Sequence, residues 1–120
     1  MSLSEDDLAS ELRGFARRFV EARSFEELGE MLTTDTDEHE YHNESDESRY
    51  FEVEASAMSR GFDENGEHIV VIFSAMDSRG KGQLGSAHSP MSCLAHIYAN
   101  GHIVFGAIGN SAVPGAARDF

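Results

Sequence analysis

The sequence predicts an α+β fold, with two N-terminal helices packed on an antiparallel sheet of about four to six strands. Three observations predict it. Leu8, Leu12, Phe15, Phe19 and Val20 recur at helical spacing. From Tyr50 the pattern turns to alternation, with Phe51, Val53, Ala55 and Ala57 set against Glu52, Glu54, Ser56 and Met58. Two Asn-Gly pairs, Asn65-Gly66 and Asn100-Gly101, then divide β-rich runs in the manner of hairpin turns. The pattern holds no strand–helix–strand unit that would support a parallel sheet.

The first helix is predicted over about residues 5 to 22. Ser4 suits its N-cap, and Glu5, Asp6 and Asp7 favour the positive end of the helix dipole. Arg13, Arg17, Arg18 and Arg23 lie off the apolar stripe towards the C-terminal half, where cations are favourable. Gly14 in the interior costs on the order of 1 kcal/mol against alanine, so it is expected to mark close packing. Ser24-Phe25-Glu26-Glu27 spells a capping box. It opens a short second helix over about residues 25 to 33, with Leu28, Met31 and Leu32 as its apolar face. Residues 33–48 then lose almost all apolar character and read as an acidic loop, with room for a short edge strand around Glu38 to His42.

The chain is organised around residues 67–77, the densest apolar run, with β-branched residues at its centre. It reads as a central strand apolar on both faces. Asp63-Glu64-Asn65-Gly66 is the turn before it, and residues 78–89 are a Gly-rich loop after it. Met91 to Ala99 and His102 to Gly109 are predicted as two further strands, closed by Pro114-Gly115. With no repeat and no composition break, residues 1–120 read as one domain. The central strand has more apolar surface than the remaining elements can cover, which leads to the expectation of a homodimer.

Composition sets the outer limits on function. Twenty-two acidic against nine basic residues give a net charge of −13, which excludes a basic footprint for DNA or RNA. The acidity either keeps the surface hydrated or offers a face to a basic protein partner. No apolar run is long enough to span a membrane and the N-terminus is acidic, so a soluble, cytoplasmic protein is expected. The single cysteine, Cys93, rules out an internal disulfide and reads as a small core residue.

Three motifs fail on physical grounds. Asp35, Asp37, His39, Glu40, His42 and Asp46 are metal-ligand types, but His39 and His42 lack the helical spacing of a zinc motif. A calcium loop needs glycine where Glu40 stands, so no metal is expected. Gly80-x-Gly82-x-x-Gly85 does not lead from a strand into a helix, so no dinucleotide cofactor is expected either. Histidines remain the candidates for proton transfer: His68, His88, His96 and His102 lie in or beside strands. His96 shares a strand face with Leu94 and Tyr98, and Asp77 ends the central strand. Together these are expected to line one cavity.

The order of elements resembles the NTF2-like superfamily, in particular its SnoaL-like branch. Two passages carry the likeness. Phe25-Glu-Glu-Leu-Gly-Glu-Met-Leu-Thr-Thr-Asp35-Thr-Asp-Glu-His39 is similar to the family's second helix running into an Asp-x-x-x-His step. Asn65-Gly-Glu-His-Ile-Val-Val-Ile-Phe, Gly80-Lys-Gly-Gln-Leu-Gly and Ile97-Tyr-Ala-Asn-Gly-His-Ile-Val are similar to its paired strands, its bend and its final hairpin. The resemblance implies a curved, cone-like sheet around a pocket for a small apolar ligand. It also implies isomerase- or cyclase-type acid–base chemistry without metal, with His96 or His39 as base and Tyr41 and Asn110 among the lining positions. Two features depart from the family. About ten polar residues stand where it has a third helix, and Gly109-Asn110-Ser111 stands where it often has a carboxylate. The alternative reading is a non-catalytic acidic interaction protein, inhibitor- or immunity-like, or an assembly subunit.

Overall fold

The computed structural model describes residues 5–34, 37–43, 50–76 and 91–110, with backbone alone at 5–8, 37–43, 50–52, 76 and 110. In chain order the elements are α1 (Glu5–Glu21), α2 (Phe25–Thr34), β1 (Asp37–Asn43), β2 (Tyr50–Asp63), β3 (Gly66–Met76), β4 (Met91–Tyr98), β5 (Ile103–Phe105) and β6 (Gly109–Asn110). The fold is α+β, with both helices laid on an open antiparallel sheet of order β1-β2-β3-β4-β5 and β6 also on β4. Ser4, Asp77, the 78–89 loop, His88 and the chain after Asn110 lie outside the described residues.

The helix ends follow from local chemistry. Arg23 closes α1, its guanidinium donating to the Phe19 carbonyl at 3.2 Å and lying 4.0 Å from the Phe19 ring centroid. Ser24 and Glu27 form the capping box reciprocally. The Glu27 N–H donates to Ser24 Oγ and the Ser24 N–H to Glu27 Oε1, both at 3.1 Å. The α1 stripe is buried as Leu12, Phe15, Ala16, Phe19 and Val20, and α2 adds Leu28 and Met31. Phe73 of β3 receives two of these rings edge-on, Phe15 at 6.1 Å and Phe19 at 5.4 Å between centroids. Gly14 does not mark close packing. A Cβ placed there would meet only the Arg18 guanidinium, at 3.2 Å, within the same helix.

The apolar run of β3 is central, as its composition requires. Within the acidic stretch, the short edge strand allowed around Glu38 to His42 spans Asp37–Asn43 as β1, paired with β2 from Asp37–Ser56 to Asn43–Tyr50. Backbone pairing needs no apolar side chain, and charged residues are well suited to an edge strand. Both Asn-Gly pairs sit at hairpin turns, with Gly66 at φ 115° and Gly101 at φ 95°. Asp63 and Asn100 fix these turns, accepting the N–H of Asn65 at 2.7 Å and of His102 at 2.9 Å.

The strand expected over His102 to Gly109 is broken in two. Phe105 pairs with Ala95 and Gly109 with Ser92, so three residues stand opposite two and the ladder shifts by one. The Gly106 N–H still reaches the Leu94 carbonyl at 2.7 Å, and the offset drops Ile108 into the core. A second irregularity lies in β2, where the register with β3 slips between Ala57 and Ser59 and leaves Met58 as the extra residue.

Two stability changes follow. Gly14→Ala should raise unfolding free energy by about 0.5–1 kcal/mol, since the added methyl meets only the far end of the Arg18 side chain. Phe73→Ala should lower it by about 3–5 kcal/mol, because two aromatic neighbours cannot collapse into the space. Urea unfolding monitored by circular dichroism measures both.

Candidate functional site

Alternation along the strands sorts the sheet into two unlike faces. Towards the helices point Val53 and Ala55 of β2, Ile69, Val71, Phe73 and Ala75 of β3, and Met91, Cys93, Ala95 and Ile97 of β4, all buried. The opposite face carries His68, Val70, Ile72 and Ser74 of β3 beside Tyr98, His96, Leu94 and Ser92 of β4 in direct register. Val104 of β5 extends it opposite His96. Leu94 remains 40% and Val104 44% exposed. Among the described residues no layer covers this face; we term it the open face.

A cluster of polar and aromatic groups occupies one end of the open face, beside both turns. Gly61, His68 and Tyr98 form one row across β2, β3 and β4. The His68 ring lies over Gly61, where a Cβ would stand 3.1 Å from Nε2. Its centroid is 5.0 Å from that of Tyr98 and 5.1 Å from that of His96, and Tyr98 in turn is 5.9 Å from His102. Tyr98 Oη donates across the sheet to Asp63 Oδ2 at 2.9 Å. His68 Nδ1 faces the same oxygen at 3.6 Å, too far for a hydrogen bond, and is buried with no other partner.

These contacts define the charge state of the cluster. The Asn65 N–H bonded to Asp63 is the main cause holding its carboxyl below the usual range. Partial burial opposes this, and the Tyr98 hydroxyl and the His68 ring add to it. Accepting from Tyr98 makes Asp63 the main reason that the phenol is raised above its ordinary value, with burial and the carboxylate charge acting in the same direction. Asp63 is therefore a fixed anion whose side chain remains 40% exposed. On the other face burial pushes the Cys93 thiol up to about 11 against the opposing charge of Arg13, which leaves it a neutral core group.

The sequence-predicted site residues separate. His96 and Tyr98 share the open face near His68 and Asp63. Register places His39 and Tyr41 on the open-face rows as well, opposite Glu54 and Glu52, but on the edge strand. His39 and His96 lie three strands and four residues apart in register, about 20 Å at ordinary sheet spacing. Asn110 pairs with Met91, a helix-face position, so it does not share the rows of His96 and Tyr98. Asp77 is outside the described residues. Asp63 was legible only as a turn residue. The signal that places it is that both hairpin turns fall at one end of the sheet, which brings the residues beside them together.

Among the described residues no three histidine, cysteine or carboxylate side chains converge to hold a metal ion. No described helix is long and apolar enough to cross a membrane. The chain matches no protein-family model, no curated protein and no solved structure. What the geometry offers is an anchored, partly exposed carboxylate beside the rings of His68, His96, Tyr98 and His102, of which His68 and Tyr98 are buried.

The Asp63 interaction has a pH signature. Its folded pKa is depressed, so its contribution to stability is complete above about pH 4, the unfolded value, and is lost as pH falls through the folded value. Asp63→Asn should flatten that acid limb in denaturation curves taken from pH 6 to pH 2. Gly61→Ala should force the buried His68 ring to shift by a few tenths of an ångström. Stability should fall, and the ring resonances of His68 and Tyr98 should move in NMR spectra.

Proposed function

We propose that this chain is a non-catalytic interaction domain that docks a protein partner on the open face of its sheet. One observation carries the reading. The same strands that bury Val53, Ala55, Ile69, Val71, Phe73, Ala75, Cys93, Ala95 and Ile97 on the helix side leave Val70, Ile72, Leu94 and Val104 on the other without a covering layer among the described residues. Apolar residues grouped on one sheet face are the mark of a surface that meets another molecule. The His68–His96–Tyr98 rings beside them add aromatic area, the kind enriched where partners bind tightly.

The small-molecule reading draws its support from the helix–helix–sheet order that resembles the NTF2-like superfamily. Such a pocket belongs between the helices and the sheet. In this chain Phe15, Phe19, Phe73, Leu12, Leu28 and Ile69 occupy that space, each no more than 4% exposed. A ligand there would have to displace packed aromatic rings, which is why the docking reading is preferred.

Site-specific photo-crosslinking in the native cell tests the choice. A benzoyl-phenylalanine at position 94 should give discrete protein adducts, and one at the exposed helix position 17 should not. Adducts at 17 alone would contradict the proposal. So would a thermal-shift screen in which small apolar ligands stabilise the chain and lose that effect in Phe73→Trp.

A further inference from the structure

Among the described side chains, charge is segregated between the two sides of the sheet. The described arginines all belong to the helix side. Arg13, Arg17 and Arg18 are on α1, Arg23 lies between α1 and α2, and Arg60 lies beyond the β2 bulge with its guanidinium against Gly29 and 5.6 Å from the Phe25 ring. Glu11, Glu21, Glu26, Glu27 and Glu30 accompany them, so the helix side carries both signs. The described side chains of the open face carry only one. Its ionised groups are Glu54 and Asp63, and no lysine or arginine is among them. The backbone register adds positions Glu52 and Asp37 to the same rows, towards the β1 edge. Among the described side chains, an apolar centre of Val70, Ile72, Leu94 and Val104 thus has carboxylates on its margins and no lysine or arginine.

One margin is also built as an acceptor site. Asp63 Oδ2 takes the Tyr98 hydroxyl and faces the buried, unpartnered His68 Nδ1 at 3.6 Å. The 3.6 Å separation exceeds a hydrogen bond, so His68 does not use up the acceptor capacity of that oxygen. A carboxylate has lone-pair capacity beyond its two present bonds, and the exposed side of Asp63 opens to solvent. An incoming N–H donor with positive charge satisfies the carboxylate and sits against the His68, His96 and Tyr98 rings, where aromatic faces also favour a cation.

We infer that the partner of the open face is a basic protein segment, whose apolar side chains cover Val70, Ile72, Leu94 and Val104 and whose arginine or lysine is anchored at Asp63 beside His68 and Tyr98. This inference rests on the docking reading and adds the chemistry of the partner. Like charge disfavours a second copy of this chain, whose net charge is −13.

The test uses the full-length, nitrogen-15-labelled chain and two synthetic extended peptides, one alternating leucine and arginine and one alternating leucine and glutamate. The leucine–arginine peptide should shift the amides of Val70, Ile72, Leu94, His96, Val104 and Asp63. Its binding should weaken at least threefold in Asp63→Asn, be lost in Leu94→Asp, and fall with added salt. The leucine–glutamate peptide should not bind. Equal binding of both peptides on the open face would overturn the basic-partner inference and leave the docking reading standing. Shifts confined to β1 or to the helix side, or no binding at all, would remove both. Self-association through the open face at concentrations below those at which the peptide binds would identify the occupant as a second copy and overturn the inference.

Discussion

The edge-on packing of Phe15 and Phe19 against Phe73 decides which side of the central strand is inside. Because side chains alternate along a strand, that one decision assigns every other residue of β3, and through register those of β2 and β4. A slip of one residue would place His68, Val70 and Ile72 under the helices and expel Ile69, Val71 and Phe73. The loss of three large buried side chains makes that alternative costly. The open face is therefore a consequence of the core. His96 and Tyr98 lie on the opposite face because Ala95 and Ile97 face the helices.

The same constraint explains why the polar cluster lies at one end. Both turns bring an Asx residue and a positive-φ glycine to the same edge of the sheet. Asp63 leaves its turn with one oxygen committed to the Asn65 N–H, and the other is free to meet Tyr98 from two strands away. Gly61 matters in the row behind it, since the absence of a side chain lets the His68 ring lie against β2. The bulge at Met58 shifts the parity of the strand. Arg60 then falls on the helix side, where it lies 3.7 Å from Glu67, and Gly61 and Asp63 fall on the open side.

Much of this was legible in the residues. Apolar periodicity located α1, and the Ser24–Glu27 box located the start of α2, because both signals act within one or two turns of chain. The two-sided apolar run identified β3 as central. The edge strand β1 was not fully legible, because its pairing is made by backbone groups that Asp37 to Asn43 disclose only faintly. The split between β5 and β6 was hidden for a related reason. A one-residue offset against β4 leaves no trace in the hydropathy of His102 to Gly109. Site residues fared least well. His96 and Tyr98 were picked out together, but His39 and Asn110 could be placed relative to them only by the strand order and the register. The partner that matters most to Tyr98, Asp63, is 35 residues away in sequence.

The central claim is that the helices bury the inner row of the same three strands, and that among the described residues no layer covers the apolar row opposite. Methyl relaxation by a soluble paramagnetic chelate reads this directly. The account predicts strong broadening of the Val70, Ile72, Leu94 and Val104 methyls, with Val53, Ile69, Val71 and Ile97 protected. Equal protection of both sets in the isolated, monomeric chain would contradict it.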